Sequence, residues 1–149
     1  LSPCFERIDQ LVDKTLRLAT LRRKANADKQ AAIILYGFPP NAGAVGTAAY
    51  LDVFESLFHT LTAMKADGYD VELPHDVDAL RDAVLAGNSE KFGQPANVAA
   101  HVSAEKIVAT CPWLADIETQ WGPAPGRVQA DGSGVFIFGQ QFGNVFVGV

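Results

Sequence analysis

Cysteine and long apolar runs are scarce in this chain, and each shortage excludes something. The two cysteines, Cys4 and Cys111, lie far apart and belong to no C-x-x-C pair, so neither a disulfide framework nor a zinc site is indicated and a reducing cytoplasm is the simplest setting. No stretch approaches the roughly 20 apolar residues that span a bilayer. The N-terminus also lacks the charged-then-apolar layout of a signal peptide, so the chain reads as not transmembrane. Positive charge is in deficit, with 12 Lys and Arg against 17 Asp and Glu and a net charge of −5, which argues against a nucleic-acid partner gripped through its phosphates. Arg17, Arg22, Arg23, Lys24 and Lys29 do gather locally, which fits a solvated helix end or, less commonly, contact with an anionic surface.

What is present describes an ordinary globular protein: 48% hydrophobic and 19% charged residues over 149 positions, enough to bury one core without a staple. The start at Leu1 and the apolar finish Phe146-Val-Gly-Val149 lead us to expect an internal piece of a longer polypeptide.

The organising stretch is 31–73. Its run Ala31-Ala-Ile-Ile-Leu-Tyr-Gly-Phe38 carries no charge and no alternation, which fits a central strand buried on both faces. A Pro/Gly loop, 39–46, follows, and Thr47 is positioned to cap a helix whose apolar residues Tyr50, Phe54, Leu57, Phe58, Leu61 and Met64 recur at steps of three and four. Gly68 ends that helix and Val71-Glu-Leu73 enters a second strand, completing a βαβ unit. Upstream, Ser2 and Pro3 open a helix with the stripe Ile8, Leu11, Val12, Thr15, Leu18 and Ala19, expected either to pack on the sheet or to belong to a neighbouring domain of a longer parent. Downstream, Asp76 caps a helix of about three turns. Residues 88–97 read as loop, Ser103 opens a helix that pauses at Cys111-Pro112, and Trp113, Leu114, Ile117 and Trp121 share a face. Two last strands, 135–138 and 145–147, flank a loop at 139–144. The expected fold is α/β and three-layered, a mostly parallel sheet with helices on both faces. Residues 1–30 form an N-terminal helix and connection, and 31–149 form the α/β domain.

Chemistry is thinly signalled. His59, His75 and His101 have no ligand spacing, and His59 is expected half-buried in its helix. Asp116 and Glu118, two apart on a helix, point to different sides and are expected solvated. No Gly-x-Ser-x-Gly elbow is present. Gly43-Ala-Val-Gly46-Thr47 offers the glycines and threonine of a phosphate loop without its lysine. An anion at the helix N-terminus and a plain strand-to-helix turn both remain open for that loop.

The run Phe38-Pro-Pro-Asn-Ala-Gly-Ala-Val-Gly-Thr-Ala-Ala-Tyr-Leu-Asp-Val-Phe54 resembles the large porphyrin-binding subunit of magnesium chelatase in its bacteriochlorophyll-making form. The resemblance continues through Met64-Lys-Ala-Asp-Gly-Tyr-Asp-Val71, Ala83-Val-Leu-Ala-Gly-Asn88, Gln120-Trp-Gly-Pro-Ala-Pro-Gly126 and Gln141-Phe-Gly-Asn-Val-Phe-Val-Gly-Val149. The related cobalt-inserting subunit typically carries Leu-Asp-Thr-Pro where this chain has Leu51-Asp-Val-Phe54, so magnesium is favoured. The resemblance implies a parent that binds protoporphyrin IX and receives magnesium while two partner ATPase subunits hydrolyse ATP. It implies a cytoplasmic location, with peripheral contact to the photosynthetic membrane left open.

The family's Gly-Thr-His-Gly motif and nearby glutamate follow downstream of the final Gly-Asn-Val-Phe-Val-Gly-Val. No catalytic or metal residue is therefore carried over, no cofactor is expected on the piece itself, and the piece alone is expected to be inactive. Substrate contact is expected from Phe38, Asn41, Thr47, Gln140, Gln141, Phe142 and Asn144, provided that the loops 38–47 and 139–144 share one rim of the sheet. The alternatives are a structural or subunit-docking module and part of a cobaltochelatase-like subunit.

Overall fold

A computed structural model describes residues 4–36, 47–48, 51–86, 88–94 and 97–149. Helix α1 (Phe5–Arg23) follows Cys4 and closes on Arg22 and Arg23, cations suited to the negative end of the helix dipole. The expected start at Ser2 and Pro3 lies outside the described residues. A 3-10 turn (Asn26–Asp28) leads into strand β1 (Ala31–Ile34). Strands β2 (Thr47–Ala48) and β3 (Leu51–Asp52) form a short antiparallel ladder, and helix α2 (Val53–Ala66) follows. The helix expected from Thr47 thus starts later, because the cap is Asp52, whose carboxylate accepts the Glu55 N–H at 3.0 Å.

Helix α3 (Val77–Leu85) uses the same device where the sequence indicates it, with Asp76 accepting from the Ala79 N–H at 2.8 Å. The remaining elements are α4 (Ser89–Phe92), β4 (Val98–Ser103), α5 (Ala104–Thr110), α6 (Leu114–Trp121), β5 (Gly134–Phe142) and β6 (Val145–Gly148). Ser103 accepts the Lys106 N–H at 3.3 Å to cap α5, and the pause at Cys111-Pro112 separates α5 from α6.

Four strands are hydrogen-bonded in the order β1-β6-β5-β4. Only β1 and β6 run parallel; β5 is antiparallel to β6 and to β4. The class is α/β, with a mixed sheet replacing the mostly parallel one expected. The cause is local. Stretch 139–144, expected as a loop, is strand as far as Phe142, and Gly143 (φ 62) with Asn144 makes a two-residue hairpin turn. β5 is shared between partners, residues 139–142 pairing with β6 and residues 134–138 with β4.

β1 was expected at the centre and stands at one end of the described order. Segment 71–73, expected to be its neighbouring strand, joins no described ladder and sends Val71 into the core. β4 occupies residues 98–102, to which the sequence pattern assigned no element, and ends on Ser103, the expected helix start.

The core lies on one face of the sheet. Ala31 and Ile33 pair with Val145 and Val147, and Phe142 with Val145, so these side chains share that face. Against them pack Phe54, Leu57 and Leu61 of α2 and Leu80 and Val84 of α3. Complete burial of residues such as Leu61, Leu80 and Val145 stabilises the fold by about 1.5–3 kcal/mol each. On the opposite face Ala32 and Ile34 are exposed. Helices α1, α5 and α6 bury no residue, so among the described elements the buried core rests on α2 and α3, while α5 lies against β4 and β5. The stripe Ile8, Leu11, Val12 and Leu18 faces solvent and does not pack on the sheet. Among the described residues no helix is long and apolar enough to cross a membrane.

Candidate functional site

Two parallel strands leave their carboxyl ends at the same rim, which is where ligands of α/β sheets collect. At that rim the Leu35 N–H donates to the Gly148 carbonyl at 2.8 Å, and Tyr36 beyond it is 80% exposed. Gly139 pairs with Gly148 and Gln140 with Val147, which brings Gln140 to the same end. The buried Asn97 is built into this corner: its Nδ2 donates to the Gly139 carbonyl at 2.6 Å and to Gln140 Oε1 at 2.7 Å. The Gly139 N–H donates back to the Asn97 carbonyl at 2.8 Å. Next to it Asn88 brackets Val98, accepting its N–H and donating to its carbonyl, both at 2.7 Å. The corner is built of neutral amides whose hydrogen bonds are made within the fold, Gln140 Nε2 donating in turn to the Gln141 carbonyl at 3.0 Å, and it supplies no acid or base.

The expected site residues fall in three places. Phe38 and Asn41 lie outside the described residues, and Thr47 is known only by its pairing with Asp52. Gln140 stands at the rim. The others are committed elsewhere: Gln141 is on the opposite face and donates to the Gly143 carbonyl at 2.7 Å, while Phe142 is buried in the core. Asn144 braces the far end, its Nδ2 donating to the Ala27 carbonyl at 2.9 Å and its N–H to the Asp70 carbonyl at 2.9 Å. The Asn144 carbonyl receives the Ala31 N–H at 3.0 Å, so the 143–144 turn sits at the amino end of β1. The shared rim expected for 38–47 and 139–144 is corrected accordingly: the antiparallel course of β5 carries its hairpin turn away from the carboxyl end of β1. Asn88 and Asn97 were not found by sequence reasoning, because a lone asparagine in a Gly/Pro-containing loop has no spacing that marks it.

The titratable groups are arranged for structure. Asp131 accepts from Ser133 Oγ (2.8 Å) and from the N–H groups of Ser133 (2.9 Å) and Gly134 (3.1 Å), with His101 Nε2 at 3.3 Å. The Ser133 hydroxyl leads in holding the Asp131 carboxyl down at about 2. Because that hydroxyl points at the carboxylate and away from the imidazole, the trio is a turn clamp with no nucleophile–base pair. His75 Nδ1 lies 3.1 Å from Asp76. The Ala79 amide, then His75, lowers the Asp76 carboxyl below its ordinary value. His59 is exposed on α2, not half-buried as expected. Glu118, expected in solvent, accepts the Ala124 N–H at 2.9 Å and fixes the chain leaving α6. Among the described residues no three His, Cys, Asp or Glu side chains converge as a metal site.

Comparison with known proteins supplies what this geometry does not. A family model described as CobN/Magnesium Chelatase matches residues 1–149. The magnesium-chelatase H subunit of Cereibacter sphaeroides is 68% identical over 149 residues, all of this chain and 12% of that protein. The H subunit of the Rhodobacter capsulatus enzyme is 58% identical over 150 residues, again all of this chain and 13% of that protein. Among solved structures, the catalytic subunit of cobaltochelatase from Mycobacterium tuberculosis matches with a TM-score of 0.61 at 29% identity, covering 88% of this chain and 11% of that one.

Proposed function

Because this chain belongs to the CobN/magnesium chelatase family, we propose that it forms part of the chelatase subunit that binds protoporphyrin IX for ATP-dependent magnesium insertion in (bacterio)chlorophyll synthesis. The observation that carries magnesium over cobalt is the end-to-end match at 68% identity to a magnesium-chelatase H subunit, against 29% to the cobaltochelatase catalytic subunit. Two partner subunits hydrolyse the ATP in this reading, and the glycine loop without a lysine is consistent with that division. Magnesium is a substrate, and the groups that deprotonate the porphyrin and deliver the ion are supplied by other parts of the parent.

Within the 149 residues, the proposed contact is the carboxyl-end rim of β1 and β6. Of the residues expected to meet porphyrin, Gln140 stands at that rim, and Phe38, which follows β1 in the chain, is retained with Asn41 and Thr47 as a candidate. Gln140 is pre-oriented by Asn97. The proposal drops Gln141, Phe142 and Asn144 because they lie on the opposite face, in the core and at the far end of the sheet, and keeps Gln140 for its place at the rim although its amide is also bonded within the fold. In the full-length parent, Phe38→Ala with Gln140→Ala is expected to weaken protoporphyrin binding at least about tenfold, a loss of about 1.4 kcal/mol, measured by fluorescence titration. Unchanged binding would remove this segment from the porphyrin site.

The second reading, a structural or subunit-docking module, is supported by that same engagement of three candidate side chains. It predicts that porphyrin leaves the fluorescence of the exposed Trp113 and Trp121 unquenched in the isolated chain, while the ATPase subunits still bind the parent only when this segment is intact. In either reading the isolated chain inserts no magnesium, even with ATP and both partners present. A spectrophotometric assay for magnesium protoporphyrin tests that.

A further inference from the structure

The composition of β1 and its place in the sheet disagree. Its backbone alternates, as in any ladder: the N–H groups of Ala31 and Leu35 go to Asn144 and Gly148 on the β6 side, so those of Ala32 and Ile34 point to the other side. Among the described residues neither Ala32 nor Ile34 has a backbone partner there. An edge left open to solvent is normally blunted by a lysine, a proline, a bulge or an inward charge. The sequence Ala31-Ala-Ile-Ile-Leu-Tyr36 has none of these, and its register with β6 is unbroken. The adjoining outer face is apolar as well. Ile34 is 66% exposed, and its Cδ1 and the ring of Phe146 both reach over Gly148.

A strand this apolar on both faces matches an interior position in a sheet. A neighbour absent from the described residues has a ready source, since the matched segment is only 12% of the length of a protein with which it shares 68% identity. We propose that β1 is an interior strand in the intact parent, paired along its open edge with a strand from chain outside these 149 residues whose apolar side chains also cover Ile34 and Phe146. A helix laid over the outer face would hide Ile34 but leave the Ala32 and Ile34 amides unpaired, so the edge calls for a strand. The inference rests on family membership and on the edge itself. It does not depend on the porphyrin reading, and the test involves no porphyrin.

The test is hydrogen exchange, resolved to the Ala32 and Ile34 amides, on two unsubstituted proteins: the isolated chain, and the full-length magnesium-chelatase H subunit of Cereibacter sphaeroides carrying this chain in place of its matching segment. The expected result is exchange at these amides at least about tenfold slower in the full-length protein, with the amides of α2 slow in both. As a second readout, Ile34→Cys should react with a maleimide at least about tenfold faster in the isolated chain, scored by peptide mass spectrometry. Equal exchange and equal labelling in the two proteins would overturn the proposal. So would protection already present in the isolated chain that grows with its concentration, which would assign the edge to a second copy.

Discussion

Gly139 occupies φ +140, and a Cβ built there collides with the Val147 carbonyl and the Phe146 ring. Gly139→Ala is therefore expected to destabilise the fold by about 2 kcal/mol or more, read as a drop in urea midpoint with an unchanged slope. Asp131 makes a prediction of opposite character. Its folded carboxyl titrates at about 2 against an ordinary 3.8, so its contribution is present above the ordinary value and is lost as pH falls from 3.8 towards about 2. A series of denaturation midpoints across that range should fall less steeply for Asp131→Asn than for the native chain. A slope unaltered by the substitution would mean the clamp adds nothing to folding. At this scale the sequence is legible where the physics is local: Asp76 and Ser103 cap the helices that follow them because a cap needs only residues three positions away. The fate of Phe142 and Asn144 is not local. Whether those side chains meet a ligand or the core is set by the direction of β5, and no residue near them announces it.

The helices α2 and α3 are what periodicity makes them, and their apolar faces supply most of the core. Leu61, fully buried in the middle of α2, is the keystone of that layer. Leu61→Ala is expected to cost about 2–5 kcal/mol, whereas Asp52→Ala at the start of the same helix should cost about 1 kcal/mol, a contrast that chemical denaturation resolves. Strand elements were harder to read. β1 was recognisable from its uncharged run, yet its partner β6 comes from the other end of the chain. β4 went unseen because the bulge between Val98 and Ala100 interrupts the alternation that marks a strand.

Taken whole, the molecule does not have uniform stability. α1 presents Phe5, Leu11 and Leu16 to solvent and buries nothing, so it leans on its own helix propensity without the tertiary packing that supplies most helical stability. Removing residues 4–23 should shift the unfolding free energy of the remainder by less than about 0.5 kcal/mol, and the α1 amides should exchange far faster than those around Leu61. A large loss on removal would show that α1 supports the rest of the fold despite its exposure. The topology has a further consequence for synthesis. Ala31 is hydrogen-bonded beside Val145, so the sheet cannot close until nearly the whole stretch between them has been translated, on the order of ten seconds at usual ribosomal speeds. Until then the apolar faces of α2 and α3 have no β6 to rest on, and the nascent chain waits in a form that chaperones can bind.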